Sequence, residues 1–472
     1  MKNAKNDISK RLERLVKLNK ELVGQNKRIL AENEILKKAL DEVLEQDSKK
    51  KLKSEKVSKE KTIRYRMATV LYAHIHGFSK VPQNEKSKSI LDNLDDLLFL
   101  FDDMIKKNKV EKIRTIGDTI VCAGGIPIKN ITNPIEVVMT ALDMQHMISQ
   151  NQENLALGKI WELTMGVHTG AVTATILKSK KISYDLKGET VNIAARIGSS
   201  GALGKIIISV MTYEMVKDFF VCEYYGKMPI KFSYSGDIDI YLVKGLKPKL
   251  TDDKDALIPN KNFRIQFNLR QFHDLQEIIL DKMEKELPQY LYYHNVKHTV
   301  DVITEVELIG FAEGVTDEEI LLLKTAALFH DLGHIIAYEN HEFYGTEIAR
   351  KYLPNFNYSK EQIDKICNII LATKLPPKPT NLLEEIICDS DLDYLGRSDF
   401  IPVSNMLYKE LKKRDSIGTF TDWNKMQVKF ISGHQYFTKT AQQMREVNKQ
   451  KQIERIQKLI DNDPEGKMEF IE

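Results

Sequence analysis

The sequence predicts a multidomain chain: an N-terminal parallel coiled coil, an α+β domain with helices on a mixed sheet, and a C-terminal all-α domain. Three observations carry this. A seven-residue apolar repeat runs from Ile8 to Val43, strand-like and helix-like runs alternate from Arg66 to Leu246, and helical segments interrupted by histidine–carboxylate pairs follow from Phe263 onward. A chain of 472 residues is long enough for two or three domains with sizeable cores.

The repeat places Ile8, Leu15, Leu22, Ile29, Leu36 and Val43 at d and Leu12, Asn19, Asn26, Asn33 and Leu40 at a. Five regular heptads predict a coiled coil over 1–48 rather than a single solvated helix. An Asn at a pairs its amide with its mate across a parallel, in-register dimer and penalises other registers. The expectation is therefore a parallel homodimer, weakened but made specific by three polar layers. Residues 49–64 read as a basic linker, with seven Lys and two Glu between Lys49 and Lys61.

Composition excludes several classes. A net charge of +3 supplies no field to recruit nucleic acid. No stretch of about 18 apolar residues predicts a membrane span, and the N-terminus has no apolar signal region. Cys122, Cys222, Cys367 and Cys388 show no paired or metal-like spacing and read as reduced thiols of a cytoplasmic protein.

The middle domain is expected over 65–246. Ala68–Ala73 has strand character and runs into His74-Ile75-His76-Gly77-Phe78-Ser79. Leu91–Lys107 is helical. Lys112–Ala123 is a hairpin turning at Gly117-Asp118. Asn133–Ser149 is an amphipathic helix and Trp161–Val172 a strand. Tyr184–Arg196 passes from loop into helix, and Lys205–Ser209 is a further strand. Residues 247–262, polar with Pro248 and Pro259, are the next linker.

The C-terminal domain is expected over 263–450, with a charged, frayed tail at 451–472. Its most informative residues are Tyr293-His294-Asn295-Val296-Lys297-His298, His330-Asp331-Leu332-Gly333-His334, His341-Glu342 and Asp389-Ser390-Asp391. Five of the eleven histidines lie between His294 and His341. Imidazole nitrogen and carboxylate oxygen are ligands for divalent metals, and the clustering favours a metal site over packed histidines. The i, i+4 spacing of His294 and His298 would put both rings on one helix face. The apolar run Leu321–Phe329 would deliver His330-Asp331 at the end of a buried helix. Spacing alone leaves Asp389 and Asp391 as alternatives for the closing ligand. His434, outside the cluster, reads as a packed structural histidine.

These motifs resemble the HD-type metal-dependent phosphohydrolases and, in their paired His-x-x-x-His elements, the core of cyclic-nucleotide phosphodiesterases. The resemblance implies that His298, His330, Asp331 and Asp391 hold a first divalent metal (Mg, Mn, Fe or Zn). It places His334 and His341 near a second metal with Asp331 as bridge, and makes His294 the general acid. Asp391 is preferred over Asp389 because an apolar residue follows it, as in the family pattern.

From Arg66 to Leu246 the ordered motifs resemble the catalytic domain of class III nucleotidyl cyclases. The resemblance implies a ferredoxin-like sheet, a site shared by two chains, Mg or Mn, and a purine nucleotide, with ATP preferred and GTP the alternative. Asp118 matches one metal-binding aspartate. The other position is His74, a departure, since neutral imidazole neither bridges two metals nor offsets their charge as carboxylate does. Asn192 and Arg196 match the ribose-orienting and transition-state-stabilising pair, and Asp185 the purine-selecting acid. Arg114 stands where those enzymes usually carry Lys. The phosphate-binding lysine has no clear match: Ser233 falls there, with Lys231 close by.

The whole chain thus resembles signalling proteins that join a cyclase to an HD domain. The expected function is making and breaking a nucleotide phosphoester. The alternatives are an active phosphodiesterase regulated by a nucleotide-binding pseudo-cyclase, and a dimeric scaffold with both sites silent.

Overall fold

The computed structural model describes residues 61–77, 86–153, 161–178, 182–229 and 236–463. The heptad repeat, most of the basic linker, Lys231 and Ser233 lie outside the described residues. The chain divides into two compact units at Phe267/Asn268.

The first unit is an α+β fold. Its strands are β1 (Lys61–His76), β2 (Glu111–Ile116), β3 (Thr119–Gly124), β4 (Glu162–Lys178), β5 (Ile182–Lys187), β6 (Lys205–Ser209), β7 (Phe220–Pro229) and β8 (Asp237–Leu246). The sheet runs β2-β3-β1-β4-β6-β8-β7, with β5 added to β4. Only β4–β6 is parallel; the other pairs are antiparallel. Alternation along β1 sorts its side chains. Leu71, Ala73 and Ile75 join the core formed with helices α1 (Lys86–Lys107) and α2 (Asn133–Glu153). Val70 and Tyr72 face the other way, against Val191 and Ala194 of α3 (Glu189–Ser200). His74 continues that second row. Helix α4 (Val210–Val216) follows β6, its N-cap Ser209 accepting from the Thr212 N–H.

Two elements depart from expectation. The stretch read as loop before α3 is strand β5, because Tyr184 and Leu186 alternate into the second core while pairing with β4. Strand β1 begins at Lys61, inside the expected linker, because β4 is long enough to pair with it from Ile176 to Glu162.

The second unit is helical. After α5 (Lys261–Glu286) come α6 (Val296–Glu313), α7 (Asp317–Phe329), α8 (His341–Tyr352), α9 (Lys360–Ala372), α10 (Leu382–Asp391), α11 (Phe400–Lys413), α12 (Phe420–Gly433) and α13 (Lys439–Asn462). Helix α7 starts with a capping box in which Thr316 and Glu319 satisfy each other's backbone N–H groups, and Leu321–Leu323 and Thr325–Phe329 are all buried. Helix α13 runs through Asn462, so 451–462 is not a frayed tail. Gln452 and Ile456 are buried, Ile456 against Leu395, Phe400 and Ile431.

Candidate metal centre and nucleotide site

In the helical unit five histidines and two aspartates converge. Helix α7 ends at Phe329 and His330 is its C-cap, so His330 and Asp331 leave the buried helix side by side. A 3-10 turn (Leu332–Ile335) then brings His334 back. That turn lies close against α8, because a Cβ at Gly333 would collide with the His341 carbonyl and the Gly345 N–H. Here glycine is required for close approach.

Two donor groups form, His298–His330–Asp391 and His294–Asp331–His334, each with one ligand atom per residue within 4.8 Å of the others. His298 Nε2 lies 3.0 Å from Asp391 Oδ1, 3.4 Å from His330 Nε2 and 3.5 Å from Asp331 Oδ2. His330 Nε2 lies 3.2 Å from Asp331 Oδ2. Asp331 Oδ1 is 3.5 Å from His341 Nε2 and 3.9 Å from His334 Nε2, so Asp331 faces both groups. The His330 Nδ1–H donates to the Ala327 carbonyl and the His341 Nδ1–H to the Tyr338 carbonyl. These bonds fix the tautomers and leave both Nε2 atoms as lone-pair donors.

The donor set fits divalent metal. Asp331 Oδ2 and both His334 ring nitrogens are buried with no hydrogen-bond partner, and such groups are costly unless a ligand satisfies them. Burial, helped by the neighbouring His294, His341 and His330 and opposed by Asp331, pushes the His334 ring far below its ordinary pKa, which keeps it neutral. Burial would raise Asp391, but the hydrogen bond with His298 Nε2 and the neighbouring His330 ring outweigh it and hold the carboxyl well below the usual carboxylate range.

The pair left open by the sequence separates by geometry. Asp389 faces away, accepting from the Phe437 N–H (2.9 Å), the Thr438 N–H (2.7 Å) and the Thr438 hydroxyl (2.7 Å) at the start of α13. Asp391, at the end of α10, is the acid beside His298.

His294 corrects an expectation. It does not share a helix face with His298, because Asn295 is the N-cap of α6 and accepts from the Lys297 and His298 N–H groups. His294 precedes the helix, and the turn still brings the two ring centroids to 6.1 Å. Its Nδ1 lies 2.5 Å from Glu410 Oε1, and Glu410 Oε2 accepts from the Tyr293 and His294 N–H groups. Glu410 is wholly buried. Burial opposes charge on His294, yet Asp331 and the Glu410 bond raise its pKa overall. The sequence reading missed Glu410, since no motif marks this acid on the helix after Phe400. His434 stands apart, edge-on to Tyr436.

In the first unit, Gly117 adopts φ +58° in the β2–β3 turn and presents Asp118. Register places His74 opposite Thr119. His74 Nδ1 lies 3.1 Å from Asp118 Oδ1 and 3.0 Å from Thr119 Oγ1, so imidazole and carboxylate share the hairpin position. Arg114 Nη1 lies 3.5 Å from Asp185 Oδ1, and Lys187 Nζ 3.6 Å from Asp185 Oδ2. Asn192 is exposed and Arg196 half-buried on α3, one turn apart. That helix is seated by glycine. A Cβ at Gly166 would strike the Gly198 backbone, and one at Gly198 would strike Tyr72.

Residues 60–245 match the adenylate and guanylate cyclase catalytic domain and residues 273–395 match the HD domain. The chain therefore joins a class III cyclase catalytic domain to an HD domain. An adenylate cyclase of Mycobacterium tuberculosis is 30% identical over 168 residues, covering 36% of this chain and 38% of that protein. Guanylyl cyclase C of Cavia porcellus is 31% identical over 188 residues, 39% of this chain and 17% of that protein. The crystal structure of the guanylate cyclase domain of RhGC from Catenaria anguillulae in complex with GTP shares 30% identity over 39% of this chain and 99% of that one, with a TM-score of 0.35. The chain spans well under half the length of these curated relatives. Among the described residues no helix is long and apolar enough to cross a membrane.

Proposed function

We propose that the protein is a cyclic-nucleotide signalling enzyme whose HD unit hydrolyses a phosphoester and whose cyclase domain forms a cyclic purine nucleotide, with cAMP the favoured product. The observation that carries the hydrolase reading is the convergence of His298, His330, Asp331 and Asp391 with orphaned, buried ligand atoms at Asp331 and His334. Divalent ions there would supply activation of water and charge neutralisation at a phosphoryl group. His298, His330, Asp331 and Asp391 would hold the first, and His334 and His341, with Asp331, would serve the second. His294, kept proton-rich by Asp331 and Glu410, gives its proton to the leaving oxygen.

In the cyclase domain Asp118 and His74 are the metal-side residues, Asp185 with Arg114 reads the base, and Lys231 is the candidate for the phosphate-binding role. Asn192 and Arg196 of a second chain complete the site, held there by the N-terminal heptads as a parallel homodimer. The His74–Asp118 contact favours a second reading, a nucleotide-binding pseudo-cyclase that regulates the hydrolase. Purified protein given ATP, GTP, cAMP and cGMP under magnesium and manganese separates the two. His330→Ala should abolish hydrolysis and lower bound metal, and full metal occupancy in that variant would sink the ligand set. His74→Asp should raise cyclase turnover, above all with magnesium. Flat turnover in a folded variant would favour the regulatory reading.

A further inference from the structure

Tyr338, which belongs to none of the histidine motifs, touches His294, His334 and His341 at once. It lies between the 3-10 turn that brings back His334 and the start of α8 at His341. Its carbonyl accepts from the His341 Nδ1–H at 2.9 Å. Its ring packs against His334, with centroids 4.9 Å apart, and stands edge-on to His294 at 5.9 Å. Its hydroxyl faces the Glu410 carboxylate that holds His294. We infer that Tyr338 is a positioning residue for hydrolysis by the HD unit, aiming the His294 proton at the leaving oxygen through Glu410, and that Arg414 clamps it in place. The inference rests on the hydrolase reading above.

The clamp comes from the helix that carries Glu410. Arg414 follows α11, one turn beyond Glu410, and its backbone N–H donates to the Glu410 carbonyl at 3.2 Å. Its Cζ stands 3.3 Å from the centre of the Tyr338 ring, and its Nη2 donates to Glu339 Oε1 at 2.9 Å. A cation over an aromatic face is attracted by the ring quadrupole, so Arg414 grips both the Tyr338 ring and the residue after it. One end of α11 thus supplies the acid that holds His294 and the cation that holds the residue facing that acid.

Space-filling does not account for the hydroxyl. Phe would pack against His334 and beneath Arg414 equally well, whereas Tyr brings a polar group beside a wholly buried carboxylate. Burial and the Glu410 charge raise the pKa of that hydroxyl, with Arg414 opposing, so it keeps its proton and stays a donor. Glu410 then faces donors from Tyr293, His294 and Tyr338. Together they fix the carboxylate and, through it, the orientation of the His294 ring.

The test compares esters that differ in how much their leaving group needs a proton: phenolate leaves poorly without one, p-nitrophenolate leaves readily. kcat is measured for the full chain with manganese on diphenyl and bis(p-nitrophenyl) phosphate and on the corresponding monoesters, with the His330→Ala rate subtracted. The variants are Tyr338→Phe, Arg414→Met and the two combined. For whichever pair is turned over, the phenyl to p-nitrophenyl ratio should fall about tenfold in Tyr338→Phe, the lower end of what outer partners of a metal site contribute. Bound metal should stay constant, because the carbonyl on His341 remains. Arg414→Met should lower the same ratio by itself and lower it no further in the double variant, since it acts through Tyr338. An unchanged ratio in Tyr338→Phe, equal losses on both esters, or loss of metal would mark Tyr338 as structural and overturn the inference. Additive losses in the double variant would overturn the clamp. If Tyr338→Phe does not fold, Arg414→Met decides by the same ratio. Turnover with a flat ratio refutes this inference alone, whereas a wild type that hydrolyses none of the four esters refutes the hydrolase reading as well.

Discussion

Asp389 and Asp391 sit two residues apart on α10 and should fail in opposite ways. Asp391 Oδ1 lies 3.0 Å from His298 Nε2 and 3.5 Å from His330 Nε2, so Asp391→Asn removes a carboxylate charge from the donor cluster, and with it a proposed metal ligand, while leaving the volume unchanged. Partners that merely orient a metal ligand are worth about 10–100-fold in metal affinity or activity, so a direct ligand is worth at least that. Bound metal and phosphoester turnover should both fall by tenfold or more, with the unit still folded. Asp389→Asn should do the reverse. The carboxylate accepts three hydrogen bonds from Phe437 and Thr438, and an amide turned into that place confronts one donor with another. Leaving one buried N–H unpaired costs about 1–3 kcal/mol, which for a unit of this size is a melting point lower by on the order of 5 °C. Metal analysis, a hydrolysis assay and a thermal melt on both variants decide the matter. If Asp389→Asn sheds metal while Asp391→Asn keeps it, the division of labour argued here is wrong.

Glu410→Gln removes the charge that holds His294 proton-rich. Turnover by the hydrolase should fall about 10–100-fold with metal content kept, and the basic limb of its pH–rate profile should move to lower pH; an unchanged profile would reduce Glu410 to a packing residue. Gly166→Ala should push α3 off the sheet and misplace Asn192 and Arg196. Cyclase turnover should drop by tenfold or more while hydrolysis continues, and equal cyclase rates would refute the tight-seat account of that helix. His168, bonded through Nδ1 to the Ser209 hydroxyl at 2.7 Å, is lowered by burial to about 4. Its folded pKa lies below its unfolded one, so the unfolded chain binds the proton more tightly. Stability is full above about pH 6.5 and is lost as pH falls towards 4, by up to about 3 kcal/mol. Denaturant melts of His168→Gln across that window should lose this slope.

Much of both units could be read directly from the chain. The run Leu321–Phe329 announced a buried helix, and His330-Asp331 at its end is where the donor clusters meet. The Gly117-Asp118 turn was legible because few residues other than glycine tolerate positive φ. What escaped was whatever depends on partners distant in sequence. Strand β5 looked like loop because its pairing edge is a β4 long enough to serve two neighbours. The shared helix face of His294 and His298 was inferred from spacing, yet Asn295 caps the helix between them and the rings meet through a turn. Asp389 and Asp391 were indistinguishable until α13, nearly fifty residues later, claimed one of them. Glu410 was invisible for the same reason, more than a hundred residues from the histidine it holds.

That last separation bears on how the protein can be dissected. The HD match ends at residue 395, and a fragment cut there would keep all the candidate metal ligands of the helical unit. It would lose Glu410, the Arg445 that binds Asp393 and the Thr438 N–H that Asp389 grips. Such a fragment would inherit an untethered His294, an orphaned Asp393 and an α10 with nothing to hold its far side. A silent fragment of that length would therefore say nothing about the full chain. Boundaries for expression belong after Asn462, where the helix that completes the unit ends.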